Sequence, residues 1–263
     1  MNDTSAQPPL IRTTDDRTAL LTLNRPRQYN ALSGALLAAL HAELDALAAD
    51  ESVSVVLLTG AGSAFCAGHD LKEMRAMASG TEVESLFASC SSMMQKLVAL
   101  PQPVIAVVNG LATAAGCQLV GQCDLAVASE NARFAASGIN LGLFCSTPAV
   151  SISRNVGRKR AAEMLFTGEF IDAQTALDWG LVNRVSPHAQ LMESAEALAN
   201  NLKAKPRAAL ALGKALFYRQ LEQGLAGAYA DASKTISANM DTEFAREGVD
   251  AFIGKRPPRW DKS

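Results

Sequence analysis

The sequence predicts an α/β protein, and three observations support this fold class. Strand-like apolar runs alternate with helix-like segments through the first half of the chain. Two of these runs, SVSVVLLTG (52–60) and PVIAVVNG (103–110), are almost continuously apolar, as in strands that are covered on both faces. After about Thr147 the pattern becomes mostly helical. We therefore expect an α/β core followed by a largely helical C-terminal region.

The first elements follow from local pattern. TALLTLNR (18–25) alternates as a half-buried strand does and is ended by Pro26. Ser33 can cap the next helix, GALLAALHAELDALAAD, whose leucines have the spacing of an amphipathic helix. The apolar run 52–60 then predicts a buried strand that glycine closes.

The middle of the chain repeats this order. AGSAFCAG is predicted to be a loop of small residues, after which Asp70 caps the short helix LKEMRAM. A second helix is expected from about Glu82 to Ala99. The strand at 103–110 leads into a helix that begins within GLATAAGC, and DLAVAS (124–129) is the next strand.

The C-terminal part is predicted to be helical with one late strand. Helices are expected in VGRKRAAEMLFTG, in DAQTALDWG, near residues 188–203, and in three further segments through residue 253. LVNRVS (181–186) is the last predicted strand. No linker or internal repeat divides the chain. We predict a core from residue 1 to 200 and a helical region, 201–263, that packs on the core or on another subunit.

Composition restricts the classes of partner. The chain has 263 residues, 24 Lys and Arg against 26 Asp and Glu, and a formal net charge of −2. This balance argues against nucleic acid or an anionic membrane as the main partner. No apolar run approaches the length of a membrane span.

The N-terminus and the cysteines favour a reducing compartment. MNDTSAQPPLIR is polar and lacks the apolar core of a signal peptide. The five cysteines are odd in number and lie in apolar contexts, which predicts buried free thiols. Cys117 and Cys123 have no second ligand pair at zinc spacing, so no metal is expected. We predict a cytoplasmic location.

Two segments share a design that suits a ligand oxygen. FCAGHD (65–70) and LATAAGC (111–117) each follow a buried strand, offer small residues, and lead into a helix. Helix N-termini have unpaired N–H groups and a positive dipole end. Two such ends that face each other would form an oxyanion hole. Tight packing without a function is the alternative interpretation of the same residues.

The chain resembles the crotonase superfamily, the enoyl-CoA hydratase/isomerase family. The resemblance covers nearly the whole sequence and is carried by LNRPRQYNALS, SAFCAGHDLKEM, PQPVIAVVNGLATAAGCQLVGQCDLAVAS, FAASGINLGL, LFTGEFIDAQTALDWGLVNRV and FIGKRPPRW. Within the family, AAGCQL and GLFCSTP are most similar to the branch called enoyl-CoA hydratase domain-containing protein 3.

The resemblance implies a fold and a ligand. It implies a spiral core of ββα units and a C-terminal helical region that forms trimers, often as a dimer of trimers. It also implies an acyl-CoA thioester as substrate, a role in fatty acid metabolism, and no further cofactor. By motif position, the backbone N–H groups of Cys66 and Ala115 would hold the thioester oxygen and stabilise an enolate.

Further site residues are predicted around this oxyanion hole. Gln118 and His69 are candidate catalytic side chains. Lys255, with Arg256 beside it, would reach CoA phosphate from a neighbouring subunit, unless the two form a solvated basic tail. The remaining predicted residues of the CoA and acyl channel are Arg27, Tyr29, Ala67, Gly68, Asp70, Leu71, Leu111, Ala114, Gly138, Ile139 and Cys145.

The sequence departs from the family pattern where hydration needs acids. The two catalytic glutamates of family hydratases would fall at Gln118 and Gly138. An amide cannot exchange a proton near neutral pH as a carboxyl group can, and glycine has no side chain. The sequence therefore keeps the electrostatic part of the machinery and lacks the usual proton carriers.

Three functions stay open from the sequence. The first is an acyl-CoA-processing enzyme of the hydratase/isomerase family, whose hydratase turnover the missing glutamates put in question. The second is a decarboxylase or thioester hydrolase that uses His69, because the unperturbed pKa of histidine suits proton exchange. AGHD and INLG also resemble methylmalonyl-CoA decarboxylase, which has tyrosine in place of Cys145. The third is an acyl-CoA-binding protein without turnover.

Overall fold

The structure, a computed structural model, describes residues 7–260, which form ten strands and eleven α-helices. The strands are β1 (Leu10–Asp15), β2 (Thr18–Leu23), β3 (Val55–Gly60), β4 (Ala64–Cys66), β5 (Val104–Val108), β6 (Leu111–Thr113), β7 (Leu125–Ser129), β8 (Arg133–Ala135), β9 (Ile171–Asp172) and β10 (Arg184–Ser186). The helices are α1 (Gly34–Ala49), α2 (Leu71–Ala76), α3 (Gly80–Ala99), α4 (Ala115–Gln122), α5 (Ser146–Asn155), α6 (Arg158–Thr167), α7 (Ala173–Trp179), α8 (Leu191–Lys203), α9 (Arg207–Leu221), α10 (Leu225–Met240) and α11 (Glu243–Ile253).

The strands form two sheets that share a spiral path. One sheet has the order β1-β2-β3-β5-β7-β10, and the other has the order β4-β6-β8-β9. The pairs β3 and β4, β5 and β6, and β7 and β8 each give one strand to the first sheet and the next strand to the second. Within the sheets only β1 with β2 and β8 with β9 are antiparallel. The predicted α/β class and the spiral of ββα units are confirmed.

Both faces of the central strands are covered, which explains why the apolar runs in the sequence are nearly continuous. Every residue of β3 and β5 is buried. Val56 and Leu58 face the main core, which includes the leucines of α1, whereas Val55 and Leu57 face α8. Successive side chains of a strand point to opposite faces, so both faces of this sheet need apolar residues. The predicted double coverage is confirmed.

The predicted caps are also confirmed. The Ser33 side chain accepts a hydrogen bond from the N–H of Leu36 at the start of α1. The Asp70 side chain accepts from the N–H groups of Lys72 and Glu73 at the start of α2. Each bond satisfies a backbone donor that the first turn of a helix leaves free.

Pattern reading alone missed the second sheet. AGSAFCAG, predicted as a loop, contains β4, and β6 precedes the helix that was expected directly after residue 110. Strands of only three residues have no readable periodicity, and their pairing is decided by segments distant in the chain. The edge strand β1 and the helix α5 were missed as well.

The C-terminal helices leave much apolar surface uncovered. The predicted boundary at residues 200 and 201 falls inside α8, which packs on the first sheet, so the peripheral helices begin with α9 instead. Helix α10 has no buried residue. Residues 1–6 and 261–263, the outer ends of the two predicted regions, lie outside the described residues.

None of the helices within residues 7–260 has the combination of length and apolar character that crossing a membrane requires.

Candidate active site

The two predicted junctions meet at one edge of the second sheet. β4 and β6 are parallel neighbours, with Cys66 opposite Ala112. The segments that follow these two strands therefore leave the sheet in the same direction. A β-carbon built on Gly68 would lie 3.0 Å from the β-carbon of Ala114 and 3.3 Å from the amide nitrogen of Ala115. The chain after β4 therefore passes directly beside the first turn of α4.

The close approach depends on two glycines. Gly68 has φ +92°, a conformation that side chains other than glycine rarely adopt. Gly116, in the first turn of α4, is packed so closely on β4 that a β-carbon would overlap the carbonyl oxygen of Cys66. Ala114 has φ 51° and ψ −121°, which is strained for a residue with a β-carbon. Strain of this kind is often found where the backbone binds a ligand.

The first free amide belongs to His69. Ala67 and Asp70 donate their N–H groups to the backbone carbonyls of Tyr29 and Leu32, 3.0 and 3.2 Å away. Within residues 7–260, the N–H of His69 has no protein acceptor. The predicted donor, Cys66, is the last residue of β4 and lies opposite Ala112 of β6, three positions before His69.

The second free amide is the predicted one. Ala115 is the first residue of α4, and its N–H has no acceptor among the residues that the structure describes. An N–H in this position is an orphan of the helix and lies at the positive end of its dipole. Both unpaired N–H groups are close to Gly68: His69 directly follows it, and the Ala115 nitrogen lies 3.3 Å from a β-carbon built on it.

Gln118 lies on the same face of α4. Its residue is only 4% exposed, and its side-chain Oε1 is buried without a hydrogen-bond partner among the described residues. Residues three apart in a helix share a face, so the Gln118 side chain lies on the side of α4 that also carries Ala115. Neutral Gln118 can form hydrogen bonds there but cannot exchange a proton.

The space beside Gly138 is already filled. A β-carbon on Gly138 would lie 2.5 Å from the carbonyl oxygen of Leu143 and 2.8 Å from Sγ of Cys145. The Gly138 N–H donates to this sulfur at 3.3 Å. Residues 143 and 145 therefore pack directly against Gly138, at the start of the same segment. A side chain at position 138 requires the loop to move.

The five cysteines are all buried and free, as predicted. Burial raises the pKa of the thiols of Cys66 and Cys117 to about 12, and it also raises that of Cys145. Buried thiols with raised pKa values are poor nucleophiles at neutral pH.

His69 has an environment that its predicted role did not anticipate. Its ring packs edge-on against Phe87 of α3, with 4.9 Å between ring centroids. Nε2 is buried and has no hydrogen-bond partner within residues 7–260. Burial lowers the pKa of the imidazole to about 4, so the ring is neutral at pH 7. The premise of an unperturbed pKa is wrong, and the ring is a weaker base than predicted.

We expect the free energy of unfolding to fall by about 2 kcal/mol between pH 7 and pH 5 because the pKa of His69 is lowered in the folded protein. In this range the unfolded chain, with an ordinary histidine pKa of 6.5, takes up a proton that the folded chain does not bind. The stability is present above pH 6.5 and is lost as the pH falls toward 4. Urea denaturation of wild type and of His69→Phe measures the difference. His188→Phe, the control, should retain the pH dependence, and an unchanged pH dependence in His69→Phe contradicts the expectation.

Asp70 is a positioning residue in this structure. Besides capping α2, it forms an ion pair with Arg25 at 3.0 Å. Burial raises the pKa of the carboxyl, but the hydrogen bonds from Arg25, Glu73 and Lys72 outweigh it and lower the pKa overall. The ionised group holds the turn that carries the N–H of His69.

The other predicted channel residues divide by location. Tyr29 lies beside β4, because its carbonyl accepts the N–H of Ala67. Ile139 packs near Gly168, on the loop that follows Gly138. Arg27 and Leu71 are exposed, and Leu111 is half-buried at the start of β6. These residues surround the two junctions.

Lys255 is not part of this group within the single chain. It follows α11 with φ 50°, and the neighbouring Arg256 forms a two-point ion pair with Glu247 at 2.6 and 2.8 Å. Arg256 is therefore engaged within its own chain. The contact of Lys255 with CoA phosphate from a neighbouring subunit stays a prediction.

Sequence reasoning missed a pair of hydroxyl groups at the site. Thr113 Oγ1 and Ser137 Oγ lie 2.6 Å apart, at the ends of β6 and just beyond β8. Their pairing depends on the second sheet, and recognition of RFA as a strand was the signal that could have found them. Among the residues that the structure describes, no three His, Cys, Asp or Glu side chains are grouped so as to hold a metal ion.

Comparison with known proteins shows the family and the fold of the chain. The enoyl-CoA hydratase/isomerase family model matches residues 13–263. The mitochondrial enoyl-CoA hydratase domain-containing protein 3 of Rattus norvegicus is 47% identical over 240 residues, which are 91% of this chain and 80% of that protein. A crystal structure of enoyl-CoA hydratase from Mycobacterium smegmatis superposes with a TM-score of 0.95 at 58% identity, covering 97% of this chain and 99% of that one. Human enoyl-CoA hydratase domain-containing protein 3 gives a TM-score of 0.92 at 43% identity, covering 96% and 100%.

Proposed function

Because the chain belongs to the enoyl-CoA hydratase/isomerase family, we propose that it is an enzyme that binds an acyl-CoA thioester and stabilises its enolate. The N–H groups of His69 and Ala115 are the proposed oxyanion donors, in place of the predicted pair Cys66 and Ala115. Both donors are backbone groups without a protein acceptor in the described chain, and both are close to Gly68. A preorganised donor of this kind contributes about 3 to 4 kcal/mol to transition-state stabilisation.

Hydration of a simple enoyl-CoA is expected to be slow. The reaction needs a base to activate water and an acid to protonate the α-carbon. Gln118 supplies neither, and the space at Gly138 is taken by Leu143 and Cys145. This filled space makes the loss of one proton carrier a property of the loop. The observation that carries the proposed function is the pair of backbone N–H groups at His69 and Ala115, which have no acceptor in the described residues.

We expect Gln118→Glu to raise crotonyl-CoA hydration by up to about 100-fold, since a positioned general base contributes about 10² to 10⁴. Gly138→Glu is expected to add nothing and to destabilise the protein, because its side chain overlaps the 143–145 loop. The measurement is the loss of the enoyl thioester absorbance, with Gln118→Met as the matched control. No gain in Gln118→Glu, with acyl-CoA binding intact, would count against the proposed site.

The same observations favour decarboxylation as a second candidate. Loss of CO2 from a malonyl-type thioester breaks the carbon–carbon bond and leaves its electron pair in the enolate, which solvent then protonates. This needs the two amides but no base for an α-proton.

His69→Ala keeps the backbone N–H of residue 69, so it tests the role of the side chain in decarboxylation separately. Release of CO2 that survives in His69→Ala supports the amides alone. Tight acyl-CoA binding with no turnover of any thioester would favour the non-catalytic alternative.

The helical region is proposed to form the predicted homotrimer or dimer of trimers. Leu225, Tyr229 and Ile236 of α10 are 77%, 68% and 58% exposed, which is unusual for large apolar side chains that cluster on one helix. We expect sedimentation velocity to give the mass of three or six chains, and Leu225→Glu with Tyr229→Glu to give smaller species. A wild-type monomer would contradict this assignment.

The predicted cytoplasmic location remains a proposal. The rat relative is named as mitochondrial, which does not agree with this location. Fractionation of cells that produce the full chain tests it.

A further inference from the structure

The turn between β6 and α4 is strained at Ala114, where φ is 51° and ψ is −121°. A residue with a β-carbon keeps a sparsely populated conformation of this kind only where surrounding contacts hold it there. Alanine has no side-chain oxygen, so Ala114 cannot cap α4 as serine or aspartate would. Contacts other than a helix cap must therefore hold this turn.

The contacts that hold the turn come from β8 and the segment directly after it. The carbonyl of Ala135 accepts the N–H of Ala114 at 2.9 Å and the hydroxyl of Thr113 at 3.3 Å. The Thr113 hydroxyl also lies 2.6 Å from the hydroxyl of Ser137. Ala114 is thus tied to β8 through its own N–H, and the residue before it is tied through its side chain.

The hydroxyl of Thr113 is not needed for packing in the sheet. Thr113 lies opposite Ala135 in the pairing of β6 with β8, and it is only 7% exposed. Valine would fill a buried strand position of this size without a polar atom, whereas a buried hydroxyl is costly unless it is hydrogen-bonded. The bonds to Ala135 and Ser137 are therefore what a hydroxyl contributes at position 113.

We propose that Thr113 and Ser137 are positioning residues that orient the N–H of Ala115 toward the thioester oxygen. The inference rests on the proposed function, in which this N–H is one of the two oxyanion donors. Because the peptide unit is planar, ψ of Ala114 sets the direction of the N–H of Ala115. Relaxation of Ala114 to a common conformation would turn the N–H away, and a hydrogen bond weakens steeply when its angle is lost.

This role has a specific signature. A misdirected donor weakens the stabilisation of negative charge on the oxygen more than it weakens binding of a neutral thioester. The full-length protein can be titrated with acetoacetyl-CoA, because the enolate of this ligand absorbs in the near ultraviolet far more strongly than its neutral form. Absorbance across a pH series then gives the ratio of bound enolate to bound neutral ligand.

We expect Thr113→Val to lower this ratio by about tenfold at a fixed pH. The dissociation constant of butyryl-CoA, which serves as the neutral thioester, should change by less than about twofold. Ser137→Ala should lower the ratio by only about threefold, because Thr113 keeps its bond to Ala135. Thr113→Ser keeps the hydroxyl and should retain the wild-type ratio.

Thr59→Val is the matched control. The Thr59 hydroxyl is also buried, with the residue 8% exposed, and donates to the carbonyl of Val107 at 2.9 Å within the first sheet. Its removal should reduce stability in urea denaturation to an extent similar to that of Thr113→Val. The ratio of bound enolate to neutral ligand should stay at the wild-type value in this control.

Four results would overturn the inference. One is a wild-type ratio in Thr113→Val or, if that variant does not fold, in Ser137→Ala. Another is an equal loss in Thr59→Val, which would assign the effect to general destabilisation. A third is a loss in Thr113→Ser as large as that in Thr113→Val, which would assign it to the methyl group. In the fourth, wild-type protein favours the enolate no more than water does, and this result alone removes the proposed oxyanion donors as well.

Discussion

Replacement of Gly116 by alanine is expected to lower kcat/KM for the thioester substrate by about 100-fold. The new β-carbon would overlap the carbonyl oxygen of Cys66, so the end of β4 and the first turn of α4 must move apart. That movement separates the N–H groups of His69 and Ala115, which act on one oxygen only if both lie within hydrogen-bond distance of it. A displacement of about 1 Å suffices for a loss of this size.

The same substitution is expected to reduce the free energy of unfolding by about 2 kcal/mol, because the overlap involves backbone rather than a flexible side chain. Gly213→Ala is the matched control. Gly213 is an exposed residue inside α9, and no atom lies within 4 Å of its built β-carbon. Alanine there should stabilise the protein by up to about 1 kcal/mol, as helix propensity predicts. If both variants behave alike in urea denaturation and in activity, the proposed contact between β4 and α4 does not control the site.

Lys214→Met is expected to lower the free energy of unfolding by about 3 to 5 kcal/mol. The ammonium group lies 2.6 Å from Asp124 and also donates to the carbonyls of Leu97 and Gln102, at 2.9 and 3.0 Å. Burial lowers the pKa of Lys214, and the neighbouring Asp124 only partly offsets this. Removal of the cation leaves a buried carboxylate whose remaining donors are Tyr218 and the N–H of Val104.

Two further variants separate the ion pair from general damage to α9. Lys96→Met removes the cation of a more exposed pair, in which Asp45 is 66% exposed, and should cost less than about 1 kcal/mol. Asp124→Asn combined with Lys214→Met removes the uncompensated charge and should recover part of the loss. Equal costs for Lys214→Met and Lys96→Met would mean that burial of the pair has no energetic consequence.

Much of the fold could be predicted from local sequence. The continuous apolar runs predicted β3 and β5 because a strand with apolar residues at every position needs cover on both faces. Ser33 and Asp70 predicted helix starts because their side chains bond backbone groups only two or three residues away. The spiral itself came from the family resemblance, since the strands of the second sheet are too short to show a period.

Some features of the candidate site could likewise be predicted from the sequence, and others could not. The absence of carboxylates at Gln118 and Gly138 is a matter of residue identity, so the amino-acid sequence is sufficient to show it. The position of the free amide is not evident from residue identity. Cys66 and His69 both lie in FCAGHD, and only the folded chain shows that Cys66 ends a paired strand whereas the N–H of His69 has no acceptor in the described residues.

The sequence by itself determined which chemical groups the site possesses: backbone amides at two turns, one neutral amide side chain, and no acid at either expected position. The tertiary structure alone decided what those groups can do. It placed Cys145 and Leu143 in the space beside Gly138 and put the His69 ring against Phe87, in a buried environment that lowers its pKa to about 4. The reason is physical: residue identity is local, whereas hydrogen-bond pairing, free volume and desolvation depend on chain segments that meet only when the protein is folded.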